Sequence, residues 1–308
     1  MRRHIVSVPA ITFDTRARIL TDEIQEGWDE KVKEMHRKNY ANLIAALSVE
    51  LGPVDFYRKI EDFKAIGSLP FSIVSYHNEF LNQARGSFVQ GHYYPALTAA
   101  CALGERIINH LILDLREYYK DKKSYSKIAG KSSLDNWQQA IHVLSDWGVL
   151  LPEASKALRK LEALRHRSLH FTVSTYDTLR DDAVRAIKLL CSLIESQFSA
   201  FGGQPWFIEG TKGACFIKAA WEQVPFIRTY YLPLCPAVGI YHAYSNEDGR
   251  WILFDYKEYE GQEISDEDFR DCFNARDPSR LAPTTQPPGD DVVWYEWGRR
   301  KDVSQSVE

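Results

Sequence analysis

The 308-residue sequence contains no apolar run of the roughly 18–20 residues that a membrane-spanning helix needs. It also lacks an excess of basic residues, because 38 Lys and Arg residues stand against 42 Asp and Glu residues. Hydrophobic residues make up 44% of the chain and charged residues 26%, which is typical of a packed protein and not of a disordered one. These absences argue against a membrane protein, a disordered protein and a uniformly basic nucleic-acid binder.

Cysteine is scarce, and the five copies are scattered along the chain: Cys101, Cys191, Cys215, Cys235 and Cys272. No pair has the Cys-x-x-Cys spacing of a zinc site, and an odd, dispersed set does not suggest a disulfide framework. The N-terminus has a short apolar run, but Pro9 interrupts it and Asp14 ends it without a small-residue cleavage site. We therefore predict a cytoplasmic protein with reduced cysteines, no metal ion and no cofactor.

Helical and strand-like periodicity occupy different parts of the sequence. The pattern is helical up to residue 200 and then becomes strand-like and polar. Between the two lies Phe-Gly-Gly-Gln-Pro at residues 201–205, whose glycines and proline favour a linker. Residues 1–202 carry a balance of +3 charges, whereas residues 203–308 carry −7. The predicted parts are an N-terminal helical extension (1–70), a helical domain (71–202) and an acidic α+β domain (203–308).

The C-terminal part is rich in tryptophan, with five of the eight residues of this type: Trp206, Trp221, Trp251, Trp294 and Trp297. Most of them are expected in the core, because a domain of about 100 residues needs large side chains to build one. Two β-rich runs, 238–244 and 250–256, flank an Asp-Gly pair, which is typical of a hairpin. The remaining predicted elements are strands over 215–221, 226–232 and 292–297 and a helix over 266–273.

The stretch most suggestive of chemistry is Arg-His-Arg-Ser-Leu-His at residues 165–170, at the end of a predicted helix. On a helical wheel Arg165 falls inside the leucine face of this helix, where a guanidinium needs a partner or a shared cavity. Arg165 and His170 differ by roughly 140° around the axis and ~7.5 Å along it, so they flank a groove. A second copy of the helix across a two-fold axis could close this groove into one site.

Arginine and histidine together permit RNA cleavage without a metal ion. Histidine titrates near neutrality, so His170 can exchange a proton with a ribose 2′-OH. The planar, always-charged guanidinium of Arg165 fits a phosphate and its pentavalent transition state. Simpler explanations stand beside this one. Cations in the last turn favour the C-terminal end of the helix dipole, and an isolated Arg-x4-His spacing also arises by chance.

The pattern Arg165-His166-x3-His170 resembles the R-[N/D/H]-x3-H motif of HEPN domains (higher eukaryotes and prokaryotes nucleotide-binding). An earlier stretch, Ala-Leu-Gly-Glu-Arg at residues 102–106, is similar to the family's helix of small residues followed by an acidic position. The resemblance covers about residues 71–200. It implies a HEPN-like helical bundle over these residues. The helical N-terminal extension and the small α+β C-terminal domain lie outside the resemblance and are predicted from periodicity, so the fold class expected for the whole chain is mainly α.

The resemblance also implies roles for individual residues. Arg165 and His170 would be the catalytic pair, and His166 would be an auxiliary polar residue. Glu105 would orient Arg165 through a charge-assisted hydrogen bond. Three further residues are candidates for contact with RNA, although a solvated surface is the favoured explanation for each of them: Arg159, Arg167 and Asn109.

The function implied by the resemblance is a metal-independent endoribonuclease that leaves 2′,3′-cyclic phosphate ends. It would act as a homodimer through the motif helices, as a toxin or in antiviral abortive infection. The alternative is a non-catalytic HEPN-like interaction or nucleotide-binding module, and an unrelated helical scaffold with an accidental motif is a third possibility. The acidic C-terminal part could bind a protein trigger or an inhibitor.

Overall fold

The computed structural model describes residues 1–6, 14–169, 174–247, 250–260, 263–284 and 292–297. These residues belong to two units. One is helical and spans Thr12–Phe198; the other combines Met1–Ile11 with Ser199–Glu308 and carries a small antiparallel sheet. Ten α-helices over the described residues confirm the mainly α fold class.

The helical unit is built from eight α-helices over its described residues. They are α1 Arg16–Thr21, α2 Glu30–Leu51, α3 Phe56–Ile66, α4 Ser75–Val89, α5 Tyr93–Leu115, α6 Trp137–Asp146, α7 Pro152–Leu169 and α8 Ser174–Phe198. Helix α5 packs against α4, α6, α7 and α8, and α7 packs along α8. The C-terminal half of α7, which carries the Arg-His motif, therefore faces the centre of the unit.

Helix α5 is central because apolar and small residues recur along it at helical spacing. Its fully buried positions are Ala96, Ala100, Ile107, Leu111, Ile112 and Leu115. Gly104 lets the neighbouring helices approach closely, since a Cβ atom there would lie 2.6 Å from Leu161 on α7 and 2.9 Å from the Trp137 ring on α6. These contacts bring α5, α6 and α7 together beside the motif.

The apolar character of α5 also gives it the length and composition of a membrane span. Among the described residues, the stretch Tyr93–Tyr119 meets that test with a mean hydropathy of 1.3, and 56% of its most apolar window is buried inside the protein. The helices packed around α5 account for this composition.

The N-terminal residues divide between the two units. Helices α1, α2 and α3 pack against each other, and α3 also contacts α4 and α8. Residues 1–6 instead join the C-terminal residues, where strand β1 (Arg3–His4) pairs antiparallel with β2 (Ala237–Val238). Residues 3–4 belong to the predicted extension over 1–70 by sequence, but they pair with residues more than 230 positions later and do not join its helices. A contact over such a distance gives no signal in local periodicity.

Buried charge anchors the N-terminal strand. Arg3 is 3% exposed, and its Nε donates to Asp266 at 2.6 Å. The same guanidinium also contacts Glu263. Two carboxylates therefore compensate this buried arginine, as a buried charge requires.

The C-terminal unit contains a three-stranded antiparallel sheet in the order β3 (Ala243–Glu247), β4 (Arg250–Tyr256), β5 (Val292–Trp297). Helix α9 spans Pro225–Tyr230 and helix α10 spans Asp266–Asn274. The last strand and the helix near residue 270 are confirmed. Strands β3 and β4 pair antiparallel as predicted, but β3 begins at Ala243 and not at residue 238, because Val238 pairs with Arg3 in the other sheet. The Asp-Gly pair lies outside the described residues. The core contains Trp206, which is 1% exposed, whereas Trp251 is 42% exposed.

Two predicted strands of this unit are wrong. Residues 226–232 begin in helix α9, where Pro225 occupies the first turn and Phe226, Ile227 and Tyr230 are buried. Residues 215–221 make only isolated bridges before a 3-10 turn. Short apolar runs fit either a strand or one face of a helix, so periodicity alone does not separate the two.

Candidate functional site

The motif lies at the C-terminal end of α7. Arg165 and His166 are in its last two turns, and Arg165 is half-buried whereas His166 is exposed. His170, the predicted partner of Arg165 in catalysis, lies outside the described residues, and the structure does not test its position.

Arg165 forms an ion pair with Glu105 on α5. Its Nε donates to Glu105 Oε2 at 2.8 Å, and the two side chains are 26% and 30% exposed. The structure thus contains the contact that the resemblance implied for these two residues. A charge-assisted bond between partly desolvated groups is stronger than one in open solvent, so it holds the guanidinium in a defined direction.

Trp137, the first residue of α6, completes the cluster. Its indole N–H donates to the same Glu105 Oε2 at 3.4 Å. Its ring centroid lies 5.7 Å from the guanidinium carbon of Arg165, within cation–π range. Trp137 is 1% exposed, so it forms the inner wall of the site.

The arginine keeps unbonded N–H groups. Among the described residues its Nε has the one hydrogen-bond partner, Glu105, and its two Nη groups have none. Because the guanidinium is both held and unsaturated, it can donate two parallel hydrogen bonds to an oxyanion such as phosphate.

A cysteine forms part of the wall beneath this arginine. Cys101 lies one turn before Glu105 on α5 and is 3% exposed. Burial raises the pKa of its thiol to about 12, although the Arg165 charge and a hydrogen bond with Ser168 act in the opposite direction. Cys101 is therefore a neutral thiol near pH 7 and offers no thiolate nucleophile.

Two of the predicted RNA-binding residues have partners inside the protein. Arg167 pairs with the buried carboxylate of Asp182 on α8. The Asn109 amide donates to the Leu134 carbonyl at 3.1 Å and accepts from the Leu134 N–H at 2.6 Å, which holds the segment before α6. Arg159 is exposed on α7. For all three, contact with RNA stays a prediction.

The sequence reasoning missed Trp137. Helix α6 begins just before Trp137, where the side chain of Asn136 accepts from the Gln139 N–H at 2.9 Å as the N-cap. A tryptophan directly after a helix cap carries no motif signal. Its role depends on the packing of three helices, which residue spacing does not encode.

The C-terminal unit contains a separate cleft of about 610 Å³. Its lining includes three tyrosines, two acidic residues and one arginine: Tyr241, Tyr256, Tyr259, Glu258, Glu260 and Arg280. The guanidinium of Arg280 lies 4.4 Å from the Tyr241 ring centroid. The lining carries charges of both signs, so its chemistry does not select one ligand class.

A scan of the chain against protein-family models found no match, and neither did searches of curated proteins and of solved structures. Across the part of the chain that the structure describes, no group of three His, Cys, Asp or Glu side chains is arranged to hold a metal ion. The candidate site therefore consists of Arg165, Glu105 and Trp137. In this cluster a carboxylate and an indole hold a guanidinium whose Nη groups have no partner among the described residues.

Proposed function

We propose that this protein is a metal-independent endoribonuclease of the HEPN type, with Arg165 and His170 as its catalytic residues. The observation that carries the proposal is the incomplete hydrogen bonding of the Arg165 guanidinium. Glu105 and Trp137 hold it, while both Nη groups have no partner among the described residues. A purely structural arginine on the core side of a helix would be expected to use more of its five N–H donors inside the protein.

The proposed reaction is an internal phosphoryl transfer. His170 takes the proton of the ribose 2′-OH while the 2′-oxygen forms a bond to phosphorus. The phosphorus–5′-oxygen bond then breaks, and the 5′-oxygen receives a proton from the protonated histidine. Arg165 stabilises the negative charge that develops on the phosphorane oxygens. The products are a 2′,3′-cyclic phosphate and a free 5′-OH.

The resemblance supplies the rest of the proposal. Two copies of α7 would meet across a two-fold axis, so that each motif contributes to a composite RNA-binding groove. Exposed Arg159 and His166 would lie along this groove. The setting would be a cytoplasmic toxin or antiviral effector, with a protein trigger or inhibitor bound by the acidic C-terminal unit.

Incubation of the purified protein with RNA in EDTA tests the proposal. The parent should produce 2′,3′-cyclic phosphate ends, and Arg165→Ala or His170→Ala should lower the rate by about 10³-fold or more. Arg185→Ala is the matched control, because Arg185 is an exposed arginine on α8. Cleavage by both site variants at the parental rate would refute the site.

A non-catalytic module is the second candidate, because an ion pair between α5 and α7 can also serve to hold those helices together. In that case the parent leaves RNA intact, while binding of a nucleotide or of a partner protein still depends on Arg165. Fluorescence anisotropy with a labelled RNA, together with the length of the RNA after the assay, distinguishes the two functions. Binding without shortening supports the module, and shortening supports the ribonuclease.

A further inference from the structure

Trp137 packs closely against helix α5, which carries Glu105 of the proposed site. Its ring edge would lie 2.9 Å from a Cβ at position 104, so it packs directly on the backbone of Gly104. Leu161 of α7 would lie 2.6 Å from the same Cβ. A fully buried aromatic ring in such contact has little freedom to tilt.

The polar edge of this ring points to Glu105, the carboxylate that holds Arg165. Oε2 of Glu105 accepts from both the Trp137 indole N–H and the Arg165 Nε, while Oε1 has no partner among the described residues. Two donors on one oxygen fix the rotation of a carboxylate that is 30% exposed and would otherwise turn toward water.

The same helix offers a comparison. Trp147, directly after the last residue of α6, is 5% exposed, and its indole N–H donates to Ser124 Oγ at 3.0 Å. Its ring stacks on Tyr119 with centroids 4.7 Å apart. This second tryptophan therefore makes the same types of contact with neutral interior groups and does not touch Glu105 or Arg165.

We infer that Trp137 is a positioning residue of the active site, which orients Arg165 through the Glu105 carboxylate and through its own ring face. The kinetic part of this inference rests on the proposed ribonuclease function. The claim that Trp137 orients Arg165 does not rest on that function, because the exchange of the Arg165 Nε–H can be measured whether or not the protein cleaves RNA.

The kinetic test compares Trp137→Phe with Trp147→Phe. Both variants keep a buried ring and remove an indole N–H. Loss of orientation at Arg165 should lower kcat of Trp137→Phe by about tenfold. KM should stay within about twofold, because the interaction lost is one made in the transition state. Trp147→Phe should retain the parental kcat.

The positional test measures exchange of the Arg165 Nε–H with water by ¹⁵N NMR, its signal being the one that disappears in Arg165→Lys. Trp137→Phe should accelerate this exchange by about fivefold, the factor expected for one lost hydrogen bond. Trp147→Phe should leave it unchanged. If Trp137→Phe does not fold, the benzothiophene isostere of tryptophan replaces it, since it keeps the ring shape and lacks the N–H.

The outcomes separate the two proposals. Equal exchange rates in both tryptophan variants would overturn the positioning role, whether or not the protein cleaves RNA. Faster exchange with an unchanged kcat would also overturn it, because the orientation would then have no catalytic consequence. An inactive parent would refute the ribonuclease function alone, and exchange that is faster only in Trp137→Phe would still support the positioning role.

Discussion

In the helical unit, the cluster around Asp62 and the cluster around Glu105 both bring arginine to a carboxylate, but they differ in how many N–H groups stay unbonded. Asp62 is fully buried and accepts from Arg58 and Tyr93 on one oxygen and from Arg180 on the other. Arg58 also donates to the backbone carbonyls of Val89 and Gln90 at the C-terminal end of α4. Nearly every polar group of this cluster has a partner within the protein.

The Glu105 cluster is incomplete by comparison. Arg165 uses only its Nε among the described residues, and the pair is about one-quarter to one-third exposed. The difference teaches that pairing with a carboxylate does not identify a functional arginine. The two clusters differ in the number of N–H donors left over and not in the exposure of their arginines, since Arg165 is 26% exposed whereas Arg58 and Arg180 are 36% and 43% exposed.

The largest expected effect comes from Asp62→Asn. The substitution removes the buried carboxylate charge shared by Arg58 and Arg180 and leaves them only exposed carboxylates at 3.7–3.9 Å, so the free energy of unfolding should fall by about 3 kcal/mol in urea titrations. Glu105→Gln should cost less than about 1 kcal/mol, because its pair is partly exposed. It should nevertheless lower RNA cleavage by about tenfold.

Asp181→Asn is the control for that comparison. Asp181 lies 3.7 Å from Arg180 on α8, but its side chain is 83% exposed, so neither stability nor activity should change in this variant. If Glu105→Gln proved as destabilising as Asp62→Asn, the two clusters would be of one kind and the distinction would be lost.

Local patterns predicted most helices but not their contacts. The motif lies at the end of α7, as predicted, because an amphipathic face is encoded within a few residues. The helix begins at Pro152, a residue type favoured in the first turn. The pairing of Arg3 with Asp266 and the approach of Trp137 to Glu105 join distant segments. The periodicity of a sequence does not indicate which distant segments come into contact.

The candidate site was predictable in part for the same reason. Arg165 was recognised because a charge fell on an apolar face, and Glu105 through the likeness of its helix to a family pattern. Trp137 resembles any buried aromatic residue in the sequence. Only the close packing at Gly104 places it against the ion pair.

A second prediction concerns how acid changes the free energy of unfolding of the helical unit that carries both clusters. His77 is fully buried, and its Nε2 has no hydrogen-bond partner among the described residues. Burial, with a smaller contribution from the charge of His110, lowers the pKa of His77 to about 3. Between that value and about 6.5 the unfolded chain binds a proton that the folded chain does not, so stability falls as the pH is lowered.

The expected loss from His77 between pH 7 and pH 5 is about 2 kcal/mol. His77→Phe should flatten this slope, because the phenyl ring can pack on Phe198 and does not titrate. His142→Phe changes an exposed histidine and should leave the slope as it is. Urea titrations at both pH values provide the measurement. An unchanged slope in His77→Phe would show that other groups carry the acid sensitivity.

The smallest expected effect has opposite signs at two helical glycines. Gly104→Ala inserts a methyl group against the rigid ring of Trp137, and the overpacking should exceed the gain in helix propensity, for a net loss of about 1 kcal/mol. Gly86→Ala on α4 meets nothing within 4 Å, so it should gain about 1 kcal/mol from propensity alone.

The two glycines also differ in what they should do to activity. Displacement of Trp137 by Gly104→Ala moves the donor that holds Glu105, so RNA cleavage should fall several-fold with the melting temperature only slightly lower. Gly86→Ala should raise the melting temperature and leave cleavage unchanged. A Gly104→Ala variant with full activity would mean that the α5–α6 contact can shift by several tenths of an ångström without disturbing Arg165. The cluster around Glu105 would then be held by the ion pair alone, unlike the cluster around Asp62, where Tyr93 and a second arginine also bind the carboxylate.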